Sequence, residues 1–271
     1  AATTYPKPEK VYDAIMDCMK NYCANPGRAG HKLAMRAARE IYDARENIAK
    51  LFNVDNPMNI IFTNNATDSL NLAIKGVVKA GDHIITTSME HNSVIRRIKA
   101  LEKHGIESTI VQCSKDGFLN IEELQKAIKP NTKLIVTTHA SNVVGTLVDI
   151  KQVGEVAKEH NILYLVDASQ TAGVYDINVV DINVDMIAAP GHKCLLGPQG
   201  TGILYIRDGL NVDILKEGGT GSKSEDLFQP ELLPDKYEAG THNTPGIVGL
   251  NEGVKFILEK GIDNIRAHEE E

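Results

Sequence analysis

Lys193 stands in the run Ala189-Pro-Gly-His-Lys-Cys-Leu-Leu-Gly-Pro-Gln-Gly-Thr-Gly, where an apolar strand gives way to a Gly-His-Lys turn and a glycine-rich loop. An amine held rigidly at a strand end beside an imidazole, and partly withdrawn from water, can form a Schiff base with an aldehyde cofactor. Asp167 closes the apolar run Ile162-Leu-Tyr-Leu-Val. Opposite a pyridine nitrogen its carboxylate would keep that nitrogen protonated and make the ring an electron sink; as a helix cap it would serve the segment starting at Ala168. His91, in Ser88-Met-Glu-His-Asn-Ser, could stack on such a ring and move protons, or act as a loop or capping residue. Asn142 and Gln170 could hydrogen-bond a phenolic oxygen or do ordinary turn chemistry.

The turn Asn64-Asn-Ala-Thr-Asp leads from a strand into a helix, so the backbone N–H groups near Ala66 and Thr67 face the same edge and could seat a phosphate. A plain helix cap would look the same. Together these groups fit the parts of a pyridoxal phosphate site. The glycines of Gly197-Pro-Gln-Gly-Thr-Gly precede a strand instead of linking strand to helix, the wrong order for a dinucleotide fingerprint.

Positioning these groups requires a particular scaffold. Short apolar, β-branched runs at Ile60–Thr63, His83–Thr87, Ser108–Gln112, Leu134–Thr138, Leu163–Asp167, Asp185–Ala189 and Gly202–Ile206 read as strands. Amphipathic stretches at Lys10–Cys23, Leu33–Phe52, Thr67–Val78, Val94–His104, Ile121–Ile128 and Lys151–Glu159 read as helices, and helical pattern resumes from Gly246. The alternation predicts an α/β fold, a mostly parallel seven-stranded sheet covered by helices on both faces, with ligands at the carboxyl ends of the strands. Residues 217–226 read as an exposed loop.

With 271 residues and 42% hydrophobic content the chain can bury a substantial core. A balance of 29 basic against 36 acidic residues, with no basic run, argues against nucleic-acid binding. No apolar stretch is long enough for a membrane span and none resembles a signal peptide, so a cytoplasmic protein is expected. Cys18, Cys23, Cys113 and Cys194 lack paired metal or redox spacing; reduced thiols and no metal are expected, Cys18, Cys23 and His31 fitting no zinc template.

The order of phosphate turn, His91, Asn142, Asp167, Gln170 and Gly191-His-Lys resembles the cysteine desulfurase and selenocysteine lyase branch of the class-V aminotransferase-like enzymes. The resemblance runs from Ala1-Ala-Thr-Thr-Tyr-Pro-Lys-Pro through Asn25-Pro-Gly-Arg-Ala-Gly-His to Glu238-Ala-Gly-Thr-His-Asn-Thr-Pro-Gly. It implies the three-layer α/β/α architecture of fold type I pyridoxal phosphate enzymes and release of sulfur from cysteine to give alanine. By this resemblance Lys193 binds the cofactor covalently and shuttles the α-proton, His91 stacks on the ring, and Asp167 pairs with the ring nitrogen. Asn142 and Gln170 orient the ring oxygen, Ala66, Thr67 and His192 bind phosphate, and Thr241 reaches the phosphate of a neighbouring subunit in a homodimer. His31 lines the substrate approach.

The resemblance further implies cysteine or selenocysteine as substrate and a sulfur-acceptor protein as partner. It divides the chain into an N-terminal arm (1–9), a cofactor-binding large domain (10–245), and a connecting helix with the start of a small domain (246–271). The chain is accordingly expected to be a fragment, impaired in sulfur transfer because the family's loop cysteine and carboxylate-binding arginine have no counterpart here. Pro190 departs from the hydroxyl residue usual two positions before His192, so one phosphate contact is expected to be absent or supplied elsewhere. Cys194 is expected to pack. The alternatives are a related class-V aminotransferase or carbon–sulfur lyase, and a dimeric scaffold without chemistry.

Overall fold

A computed structural model describes residues 4–26, 31–222 and 225–270. Residues 27–30 of the Asn25–His31 motif, 223–224 of the expected loop, 1–3 of the expected arm and residue 271 lie outside the described residues. Seven strands, β1 (Ile60–Thr63), β2 (His83–Thr87), β3 (Glu107–Val111), β4 (Thr132–Thr138), β5 (Leu163–Asp167), β6 (Met186–Pro190) and β7 (Gly202–Ile206), form one sheet in the order β1-β7-β6-β5-β4-β2-β3. Neighbours from β6 through β3 run parallel, whereas β7 is antiparallel to both β6 and β1. The mostly parallel sheet matches the sequence pattern.

The helices are α1 (Glu9–Asp17), α2 (Lys32–Phe52), α3 (Ala66–Val77), α4 (Asn92–Glu102), α5 (Ile121–Lys126), α6 (Ile150–Glu159), α7 (Thr244–Lys260) and α8 (Ile262–Glu270). The single helix expected over Lys10–Cys23 is instead α1 followed by a π-helical turn at Cys18–Tyr22, a local widening that hydrophobic periodicity does not register. Side-chain caps set several starts: Asn65 Oδ1 accepts from Asp68 N, Asn120 Oδ1 from Glu122 and Glu123 N, and Asp149 Oδ1 from Gln152 N. Asn53, in the left-handed region at φ 56°, ends α2.

Strand side chains alternate strictly between two cores. Ile135, Tyr164, Val166, Ile187, Ala189 and Ile203 pack on one face with Ile48 and Phe52 of α2, Val153 of α6 and Leu250 and Val254 of α7. Leu134, Val136, Leu165, Met186, Ala188 and Leu204 pack on the other with Leu70 and Ile74 of α3 and Val94 and Ile98 of α4. Burial on both faces explains why these strands read as continuous apolar runs. The parallel strands thus point their carboxyl ends to one open edge.

A buried ion pair braces the β1 side of the sheet. The Arg45 guanidinium from α2 bonds Glu238 and the Ile60 carbonyl, and lies 4.6 Å from the centre of the Phe62 ring. The other Glu238 oxygen accepts from Phe62 N at 2.6 Å, and His242 Nε2 lies 3.4 Å from the carboxylate. Residues 238–242 are thereby tied to the edge strand. Replacing Glu238 by Leu should strand a buried cation and an edge N–H, lowering unfolding free energy by about 3–5 kcal/mol, with Arg45→Met in the same chain recovering roughly half of the loss. Urea denaturation measures both; a loss below about 1 kcal/mol in the single variant would show that the pair is as weak as a surface one.

Candidate active site

Lys193 owes its position to a strand reversal. After β6 the chain turns back at once into the antiparallel β7, and backbone bonds from Gly191 N to Thr201 O (2.9 Å) and Gly197 N to Gly191 O (2.8 Å) close the loop between them. A Cβ on Gly191 would lie 2.1 Å from Thr201 Oγ1, so the two limbs can approach only because residue 191 has no side chain. The N-terminal segment braces the turn from outside: Thr4 Oγ1 donates to Lys193 O and Lys7 Nζ donates to His192 O, each at 2.8 Å. The Lys193 side chain is half-buried. His192, beside it, is held below the usual imidazole range by burial and then by the charges of Lys193 and Lys7, so it is neutral at physiological pH.

Asp167 ends β5, where its neighbours in register are Thr138 of β4 and Ala188 of β6. The residue is 2% exposed. Its Oδ1 accepts from Ser169 N at 3.0 Å and from the Ser169 hydroxyl. Burial raises its pKa above the ordinary carboxylate value, only partly offset by those two bonds and by the Lys193 and His91 charges. No helix starts at Ala168, so the side chain is not the helix cap that one sequence reading offered; it braces a turn at the wall of a cavity. Ser169, two residues on, was absent from the sequence-based set, although the Asp-x-Ser spacing of an Asx turn could have marked it.

The first turn of α3 forms the opposite wall. Gly202 makes this possible, since a Cβ there would lie 2.6 Å from the Asn65 carbonyl carbon and 2.6 Å from Thr63 Oγ1. Gly202 pairs with both Thr63 and Pro190, which sets the start of α3 one strand away from the Lys193 turn. With Asp68 N taken by the Asn65 cap, the N–H groups of buried Ala66 and exposed Thr67 lie on the first turn, at the positive end of the helix. Thr67 Oγ1 bonds Ser93 Oγ at 2.9 Å, and Ser93 bonds His91 Nδ1 through its hydroxyl (2.9 Å) and its N–H (3.2 Å). His91 is thus the cap of α4, with one ring nitrogen engaged and its orientation set. Ser93 was another residue the sequence reading passed over.

These walls enclose a cavity of about 250 Å³ lined by Ala66, Thr67, His91, Asn142, Asp167, Gln170, His192 and Lys193, together with Asn65, Leu70, Ser93, Thr138, Ala140, Ser169 and Pro190. Pro190 ends β6 at the cavity wall and offers no N–H or hydroxyl there. Thr241 does not join the group; it lines a separate recess of about 60 Å³ with Thr63, Asn64 and Gly200. His31 is also elsewhere, capping α2 through Nδ1 and Ala34 N. Cys194 Sγ donates to Gln170 O at 3.5 Å, and burial pushes its thiol up to about 11, so it is protonated and packed. A larger cavity of about 620 Å³ opens at the amino ends of β5 and β6, between Asn59, Leu163, Asp185 and Tyr205, but holds none of the candidate groups.

The sequence matches the model of the aminotransferase class-V family over residues 1–271. It is 35% identical to a probable cysteine desulfurase of Methanothermobacter thermautotrophicus, over 99% of this chain and 68% of that protein. It is 34% identical to the cysteine desulfurase IscS of Clostridium botulinum, over 96% of this chain and 62% of that protein. The apo structure of a cysteine desulfurase from Thermococcus onnurineus NA1 superposes with a TM-score of 0.91 at 31% identity, covering 96% of this chain and 66% of that one. The chain therefore spans 62–68% of the length of these proteins. Sharing their sheet along with the sequence match, this chain belongs to the class-V aminotransferase family, alongside the cysteine desulfurases.

Proposed function

We propose that this chain is the cofactor-binding part of a pyridoxal phosphate-dependent cysteine desulfurase. The observation that carries the reading is one 250 Å³ cavity at the carboxyl edge of the sheet that holds a lysine amine, a buried carboxyl group and a helix N-terminus together. The donor set suits the group. Among the described residues the Asp167 carboxyl group accepts only from Ser169, and it would gain a cationic partner in a protonated ring nitrogen; the N–H groups of Ala66 and Thr67 suit a phosphate, and Lys193 suits an aldehyde.

When bound, pyridoxal phosphate supplies an electrophilic carbon for the substrate amine and a conjugated ring that spreads negative charge from the substrate α-carbon. Lys193 Nζ would hold the aldehyde carbon covalently and, once freed by the substrate amine, would serve as the base for the α-proton. Asp167 would hold a proton on the ring nitrogen, and His91, fixed by Ser93, would cover the ring. His192, Ala66 and Thr67 would anchor the phosphate, while Asn142 and Gln170 would orient the ring oxygen. An acceptor thiolate attacks the substrate sulfur; the sulfur–sulfur bond forms as the carbon–sulfur bond breaks, its electron pair passes to carbon, and protonation there leaves alanine. Cys194, protonated and packed, is not that thiolate. We place the acceptor cysteine and a carboxylate-binding arginine in the part of the relatives that this chain does not span. We also read residues 10–245 as the large domain and 246–271 as its link to a small one, in a cytoplasmic homodimer with Thr241 serving the neighbouring subunit and a separate protein taking the sulfur.

Borohydride reduction of the chain with added pyridoxal phosphate, followed by peptide mapping, should leave the pyridoxyl group on Lys193, and Lys193→Ala should abolish it; labelling spread over surface lysines would sink the reading. The 271-residue chain should bind cofactor yet release alanine from cysteine far more slowly than full-length relatives, which an amino-acid assay decides. Asp167→Asn should weaken cofactor affinity at least about tenfold, about 1.4 kcal/mol. The same change should stabilise the cofactor-free chain. Because burial raises the folded-state pKa of Asp167, its contribution to stability declines as pH rises above the ordinary carboxylate value. Cofactor titration and thermal melts at pH 5 and 8 read the two effects, and a variant that binds normally or melts lower would contradict the assigned role.

A further inference from the structure

Glu90 precedes His91 in the loop after β2, and nothing in the proposed reaction uses it. Part of the residue is exposed, yet its carboxyl group is sealed from solvent: Oε2 lies out of water and has no hydrogen-bond partner among the described residues. Oε1 accepts twice, from Thr87 Oγ1 at 2.7 Å and from Thr138 N at 3.0 Å. The ladder between β2 and β4 ends at Ile85 and Ile135, so the N–H of Thr138 has no strand partner on the β2 side. Glu90 supplies that partner. Thr138 in turn lines the cavity and pairs in register with Asp167.

The bonding pattern has a chemical meaning. An oxygen accepting two donors is what the carbonyl oxygen of a carboxylic acid can do, while a charge on the partnerless Oε2 would be buried without compensation. We propose that Glu90 is a positioning residue of this site: as an un-ionised acid it ties the His91 loop to the end of β4 with one oxygen, and it leaves the negative charge beneath the cavity to Asp167 alone. The ionisable groups around it agree. Burial, with a smaller contribution from Asp167 on β5, outweighs the Thr87 and Thr138 bonds and carries Glu90 up to about 8. Tyr164 on β5 has its hydroxyl bonded to Thr137 at 2.7 Å and is kept neutral chiefly by burial. His139, after β4, is held down at about 4 by burial and adds no positive charge. His91 and Lys193 favour the ionised form of Asp167. These cations partly offset burial at Asp167, whereas burial and the Asp167 charge both act against ionising Glu90.

The protonation state can be tested on the cofactor-free chain, whereas the effect on cofactor binding rests on the pyridoxal phosphate reading. Between the ordinary value of 4.5 and about 8, the folded chain carries one more proton at this position than the unfolded chain. Stability is therefore lost as pH rises through that window and the loss levels off above it. Glu90→Gln keeps the accepting oxygen and cannot ionise, so its melting temperature should gain on that of the unsubstituted chain steadily from about pH 5 to about 8 and no further. Cofactor titration should show Glu90→Gln within about threefold of the unsubstituted chain and Glu90→Ala weakened about tenfold, because only the latter leaves the Thr138 N–H bare. A constant melting difference across pH, or a glutamine variant that binds as poorly as the alanine one, would overturn the proposal. If the alanine variant fails to fold, the glutamine pH profile still decides. If the unsubstituted chain binds no cofactor, the functional reading falls while the melting comparison continues to test Glu90.

Discussion

The site depends on β7 running against both of its neighbours. Parallel strands need a crossover of a dozen or more residues, so a parallel β7 would have sent the chain away from the carboxyl edge as soon as β6 ended. An antiparallel one lets it turn back within residues 191–201, and that reversal is what holds Lys193 beside the ends of β5 and β6. The same strand, through Gly202, passes tightly behind the start of α3 and brings the helix N-terminus to the cavity. Two absent side chains, at Gly191 and Gly202, are thus as much a part of the site as the groups that could do chemistry.

Desolvation sets the electrostatics of the cavity. Asp167 and Glu90 both lie where burial favours the neutral acid, and each has a limited set of donors. They differ in what faces them. Asp167 opens onto the cavity and the Lys193 and His91 charges, while Glu90 faces strand ends and hydroxyl groups. Position thereby gives two acids of similar chemistry different surroundings, the usual way a fold separates the roles of paired carboxyl groups. Cys194 and His192 obey the same rule: burial keeps the first a thiol and the second a neutral imidazole.

The Arg45–Glu238 pair acts on the far side of β1, where it ties residues 238–242 to the edge strand. Thr241 is therefore held outside the cavity built by its own chain, in a recess next to Thr63 and Asn64. Its place in the fold follows from an ion pair whose members are 193 positions apart, which no local motif could signal.

Much of the architecture is local and so was legible. Strands buried on both faces must be apolar throughout, so β1, β2, β5 and β7 coincide with their sequence runs, and helix starts follow capping residues such as Asn65 and Asp149. The types and order of Lys193, Asp167, Gln170, His91 and Asn142 also belong to the sequence, because each follows a strand whose direction the α/β alternation implies. Other features needed the folded chain. The direction of β7, the π turn at Cys18–Tyr22, the two bonds of Ser93 to His91 and the sealed carboxyl group of Glu90 depend on packing between distant segments. Hydrophobic period and caps report on neighbours a few residues away, whereas burial of a charge depends on everything that surrounds it; the sequence by itself determined which groups stand at the strand ends, and only the tertiary structure decided which are shut away from water.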